Sequence, residues 1–88
     1  MDIKYTGQHI EITPAIKAHA DEKLARLSQH GARIVAIDVS FHVEHLDQIA
    51  KATVFMPGKD IFAQHKSKDL YVSIDELTKK LMAQLDKL

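Results

Sequence analysis

The sequence predicts an α+β two-layer sandwich in the order βαβββα, with a four-stranded mixed sheet and two helices on one face. Three observations carry that expectation. Apolar and polar residues alternate near the N-terminus and through the middle of the chain, the period-two signature of strands with one wet face. Two other stretches repeat their apolar residues at steps of three and four, the signature of helices with one buried stripe. The 88 residues hold only three glycines and two prolines, so elements are expected to be long and loops short.

Met1 to Thr6 sets Ile3 and Tyr5 against Asp2, Lys4 and Thr6 and reads as a strand ending at Gly7. Thr13-Pro14 starts a helix, because the hydroxyl accepts from a free amide and proline has no amide to leave unpaired in the first turn. That helix runs to about Gln29 or His30 and stops at Gly31. From Arg33 to Glu44, Ile37, Val39, Phe41 and Val43 face one way while Asp38, Ser40, His42 and Glu44 face the other. A polar connection, His45 to Gln48, leads to a third strand over about Ala50 to Met56. Pro57-Gly58-Lys59-Asp60 is a tight turn, and Ile61 to His65 is the returning strand. A last helix from about Lys68 to the end carries Leu70, Ile74, Leu77, Leu81, Leu85 and Leu88 at steps of three and four. The strand–helix–strand opening makes the first two strands parallel through a right-handed crossover, and the later strands hairpin antiparallel. Both helices then bury their stripes on the single apolar face of the sheet.

Composition narrows the function. Twelve basic residues balance twelve acidic ones, which excludes a uniformly basic nucleic-acid coat and an acidic disordered tail. With no cysteine there is no disulfide scaffold, thiolate zinc finger or cysteine nucleophile. No apolar run approaches the roughly 20 residues of a membrane helix, and no signal-peptide pattern opens the chain, so a single soluble, cytoplasmic domain over residues 1–88 is expected.

No catalytic residue, metal ligand set, cofactor or small-molecule substrate is expected. His42 and His45 are an odd number of positions apart in an extended segment and so point to opposite faces; His65 could approach only across the sheet. Gly58-Lys59 lacks the upstream glycine of a phosphate loop. Asp38, His42 and Glu44 share an open strand face that offers no desolvated site for acid–base work.

Charge arrangement is more informative than total charge. Ile16, Ala20, Leu24 and Leu27 form the buried stripe of the first helix, and His19, Lys23, Arg26 and His30 form a second stripe beside it. On the last helix Lys80 and Lys87 lie two turns apart on one face with Gln84 between them, and Lys66 and Lys68 precede that helix. Two readings follow: a solvated helix surface, or flanks that merge between neighbouring helices into one positive groove tracking phosphates. Phe55 and Phe62 flank the tight turn on the face away from Val54 and Ile61. There they read either as a cross-strand pair bracing the hairpin or as exposed rings available to bases or a protein partner.

With these residues in view, the chain resembles the ribosome hibernation-promoting factor family, also known as ribosome-associated inhibitor or sigma-54 modulation proteins. The resemblance covers nearly the whole chain. It rests on Ile3-Lys4-Tyr5-Thr6-Gly7, Glu11-Ile12-Thr13-Pro14-Ala15-Ile16, Lys23-Leu24-Ala25-Arg26-Leu27, Ala52-Thr53, Asp69-Leu70-Tyr71, Ile74-Asp75-Glu76-Leu77, and Lys80-Leu81 with Gln84-Leu85. It implies a fold like that of double-stranded RNA-binding domains and a partner in the small ribosomal subunit, contacted through 16S ribosomal RNA where messenger and transfer RNA would bind. It further implies translational inhibition in stationary phase and inactive paired ribosomes formed with a separate modulation factor. The chain resembles the short form, without the dimerising domain of long relatives. Matched to family positions, the implied RNA-binding residues are Lys23, Arg26, Lys66, Lys80 and Lys87. Gln29 and Ala83 stand where relatives can carry basic residues, with His19, His30, Lys68 and Lys79 as the available compensators. The competing reading is a protein-interaction module that uses the open sheet face.

Overall fold

A computed structural model describes residues 1–88 as β1 (Asp2–Gln8), α1 (Pro14–Ser28), β2 (Ala36–Glu44), β3 (Asp47–Met56), β4 (Lys59–Ser67) and α2 (Leu70–Asp86). The strands form one sheet in the order β1-β2-β3-β4, with β1 parallel to β2 and the other pairs antiparallel. The expected mixed sheet and element order are therefore those observed.

Local chemistry accounts for most boundaries. Thr13 Oγ1 accepts from the Ile16 amide at 3.2 Å and Pro14 fills the first helical position. Asp69 does the same for α2, accepting from the Tyr71 amide at 2.9 Å. Beyond α1, Gly31 takes φ +92°, which its missing Cβ allows. Several boundaries differ from expectation. β1 continues through Gly7 to Gln8, and the chain turns at His9, at φ +59°. Gly7 serves close packing instead: a Cβ there would sit 2.6 Å from the Ile10 carbonyl oxygen. β2 begins at Ala36 rather than Arg33. Both hairpin loops are also tighter than expected. His45 and Leu46 alone join β2 to β3, since Glu44 already pairs with Asp47, and Pro57-Gly58 alone joins β3 to β4, since Met56 pairs with Lys59.

The core lies between one sheet face and the two helices. Ile37, Val39 and Phe41 of β2, Ala50, Ala52 and Val54 of β3, and Ile61 and Ala63 of β4 meet Ala20, Leu24 and Leu27 of α1. Leu70, Ile74, Leu77, Leu81 and Leu85 of α2 complete it. Burying each large side chain contributes about 1.5–3 kcal/mol. Small alanines in β3 let the helices approach a sheet whose neighbouring strands carry the bulk. Tyr5 stacks on Phe41, with ring centroids 6.0 Å apart, and its hydroxyl donates to Asp21 Oδ1 at 2.5 Å, tying β1 to α1. Burial first, then this hydrogen bond and the Asp21 charge, push the phenol above its ordinary range. Ser73, fully buried in the first turns of α2, donates to the Gln48 carbonyl at 2.7 Å and fastens that helix to β3. No helix is long and apolar enough to cross a membrane.

Candidate nucleic-acid interface

The two helices run parallel and in step. His19 Nε2 donates to Asp75 Oδ1 at 2.7 Å and His30 Nε2 donates to Asp86 Oδ1 at 2.8 Å, both across the same sequence separation of 56 residues. A constant offset at two points three turns apart means that α1 and α2 climb side by side in the same direction. The α1 stripe His19–Lys23–Arg26–His30 thus faces α2 residues Asp75–Lys79–Met82–Asp86. The seam between the helices carries carboxylates as well as cations.

Lys80 and Lys87 lie on the other flank of α2. Lys80 Nζ donates to the Gln64 carbonyl at 2.8 Å and Gln84 Nε2 donates to the Phe62 carbonyl at 2.6 Å, so this flank rides over the outer edge of β4. Four helical residues rise about 6.0 Å and two strand residues about 6.6 Å, which is why side chains four apart on α2 meet carbonyls two apart on β4. Lys66 and Lys80 border one hollow of about 530 Å³, together with Lys51 and Gln64. Lys80 and Lys87 border a second of about 480 Å³, with Phe62 and Gln84. The expected single groove between the helices is not formed. The structure makes two rows instead: Lys23 and Arg26 on α1, and Lys66, Lys80 and Lys87 along β4 and the far flank of α2. They are separated by the mixed-charge surface of α2.

Ion pairing separates most of these cations into two groups. All four compensators are tied to carboxylates: His19 to Asp75, His30 to Asp86, Lys68 to Asp47 at 3.0 Å, and Lys79 to Glu76 at 3.2 Å. The Lys68 hydrogen bond holds the half-buried Asp47 carboxyl below the usual carboxylate range, with smaller help from Lys66 and His45. Arg26, Lys66, Lys80 and Lys87 are exposed and have no carboxylate within 4.0 Å, and Lys23 has only a loose contact, 3.8 Å from Asp75. Such free ammonium and guanidinium groups can exchange solvent counterions for phosphates at little cost in lost internal pairs. His19 also packs edge-on against Tyr71 at 5.0 Å, so its ring is positioned within the protein.

Lys51, one of the positive charges between residues 51 and 68, is not among the residues matched to family positions. The register Ser40–Lys51–Gln64 sets it one row from His42–Ile49–Lys66 on the open face, beside Lys66. Its signal is the period-two alternation that sets odd-numbered β3 residues beside even-numbered β4 residues on the open face once their pairing is known. His65 falls on the helix face with Phe41 and Ala50, whereas His42 is on the open face, so these histidines do not converge. Phe55 and Phe62 are diagonal rather than opposed: Phe55 faces Asp60, and Phe62, half-exposed, faces Thr53.

Comparison with known proteins places this geometry in a family. Residues 3–88 match the family described as Sigma 54 modulation protein / S30EA ribosomal protein. The chain is 38% identical over 87 residues to the ribosome hibernation promoting factor of Pseudomonas putida, a match spanning 99% of this chain and 85% of that one. Among solved structures it is similar to a ribosomal subunit interface protein from Coxiella burnetii, with TM-score 0.89, 37% identity, and 99% and 96% of the two chains covered. It is also similar to the N-terminal domain of Protein Y from Thermus thermophilus, with TM-score 0.90, 29% identity, and 99% and 98% covered. The sequence, its fold and its full-length matches agree: this chain belongs to the Sigma 54 modulation protein / S30EA ribosomal protein family.

Proposed function

We propose that the protein is a ribosome hibernation factor that binds the small ribosomal subunit and inhibits translation by occupancy rather than by catalysis. Lys23, Arg26, Lys66, Lys80 and Lys87 contact phosphates of 16S ribosomal RNA in this reading, while the body of the domain excludes messenger and transfer RNA. It works in the cytoplasm, where ribosomes are, and favours inactive paired ribosomes in stationary phase alongside a modulation factor. The observation that supports the RNA-binding face is the division of cations: His19, His30, Lys68 and Lys79 are paired within the protein, Arg26, Lys66, Lys80 and Lys87 are unpaired, and Lys23 has one loose contact with Asp75. Relatives named as hibernation promoting factors and as a ribosomal subunit interface protein supply the partner class. Five phosphate contacts give a slope of about −3.5 to −4.5 for log affinity against log salt.

The test is co-sedimentation with purified small subunits. Lys23, Arg26, Lys80 and Lys87 are replaced together by alanine, and circular dichroism verifies the fold. Binding is expected to vanish. A folded variant that still co-sediments like the parent refutes the assignment.

A further inference from the structure

The half-exposed Phe62 ring has no aromatic partner, and its surroundings suit a ligand. Two adjacent rows cross the open sheet face, Lys4–Asp38–Thr53–Phe62 and Thr6–Ser40–Lys51–Gln64. Ser40 and Thr53 on the inner strands carry short side chains, while Lys4, Lys51 and Phe62 stand taller around them. Tall margins over a low floor make a trough of about 300 Å³ on the side of the sheet opposite the helices. Phe62 is 50% exposed, and none of Lys4, Asp38 or Lys51 is held in an ion pair.

We propose that this trough binds an unpaired nucleotide of single-stranded RNA, its base stacked on Phe62, its phosphates on Lys51 and Lys4, and its ribose hydroxyl donating to Asp38. Each element has a physical reason. Any base presents a flat π face to an exposed aromatic ring, and stacking is tolerant of sequence. Two free ammonium groups bordering the trough complement the phosphodiester charge. A carboxylate that only accepts hydrogen bonds matches a 2′-hydroxyl donor, the group that separates RNA from DNA. Asp38 lies two strands from Phe62, about 10 Å, a span that a nucleoside with its phosphate covers. The trough is lined by none of the helix-borne cations, although Lys51 and Phe62 also border the neighbouring hollows of Lys80.

The experiment titrates the full chain with hexaadenylate RNA and with its deoxy counterpart at low salt, following backbone amide shifts. Saturable shifts at Ser40, Lys51, Thr53 and Phe62, with tighter binding of the ribo-oligomer, are expected. Phe62→Ala is expected to weaken binding about 5- to 150-fold, the worth of one base–aromatic stack. Phe62→Leu, which keeps apolar bulk without a π face, is expected to weaken it as well. Wild-type affinity in Phe62→Leu, or shifts confined to the helices, overturns the site. Equal affinity for the deoxy-oligomer overturns the role given to Asp38. A sheet face that ignores both oligomers overturns the proposal and leaves a protein contact as the reading of this surface. The variant lacking Lys23, Arg26, Lys80 and Lys87 keeps its sheet-face shifts here, so failure of the ribosome reading is distinguishable from failure of this one.

Discussion

Replacing Lys66, Lys80 and Lys87 together by alanine removes the entire row along β4 and the far flank of α2 and leaves Lys23 and Arg26 on α1. None of the three is in an ion pair, and Lys80 donates only to an edge carbonyl that water can serve instead, so the fold is expected to survive. Five phosphate contacts at about 0.7–0.9 per contact give the parent a slope of about −3.5 to −4.5, and two contacts give about −1.4 to −1.8. Raising salt from about 50 to about 200 mM then weakens the parent about 130- to 500-fold and the variant only about 7- to 12-fold. The control is Lys68→Ala with Lys79→Ala, which removes two charges already matched by Asp47 and Glu76 and is expected to keep the parent's slope. Small-subunit binding measured by filter retention across that salt range provides both slopes. If the triple and the double variant lose the same amount of salt dependence, pairing does not decide which cations meet phosphate, and the reasoning fails.

Other expectations concern the seam and the first strand. His19→Ala with His30→Ala removes both inter-helix hydrogen bonds; the salt slope is expected to hold while the melting temperature falls, read by circular dichroism. Gly7→Ala is expected to destabilise the domain by about 1–3 kcal/mol in urea titration, because the new methyl must displace the Ile10 carbonyl or the Ile12 side chain. Tyr5→Phe is expected to cost about 1–2 kcal/mol through loss of the bond to Asp21. Since the folded phenol is raised above its unfolded value, that contribution is present in full below pH about 10 and lost as pH climbs through the folded value, so parent and variant converge in strong alkali.

What was legible in the sequence was local. Thr13-Pro14 announces α1 because capping chemistry resides in neighbouring residues, and the steps of Leu70 through Leu85 announce α2 because a helix repeats on itself. Register was lost through turn length. Taking Pro57 to Asp60 as the whole loop sets Phe55 opposite Phe62, whereas a loop of Pro57-Gly58 alone slides the pairing so that Phe62 meets Thr53. The first hairpin's loop, taken as His45 to Gln48, is too long for a related reason: His45 sits at φ +58°, a conformation usually signalled by glycine or asparagine. For the candidate interface, periodicity identified each stripe and could not say what each would face. That Lys23 looks toward Asp75 while Lys80 looks toward β4 follows from two helices packing in step, a fact of tertiary structure.

The hold of α2 on the outer strand reaches beyond charge. An uncovered border strand invites a neighbour's chain to add itself to the sheet. Here Lys80 and Gln84 already occupy two of the acceptors that such an intruder would need. Copies of this domain gathered at high local density therefore lack a ready template for zipping together along β4, and a side chain proposed to meet RNA also discourages the protein from joining itself.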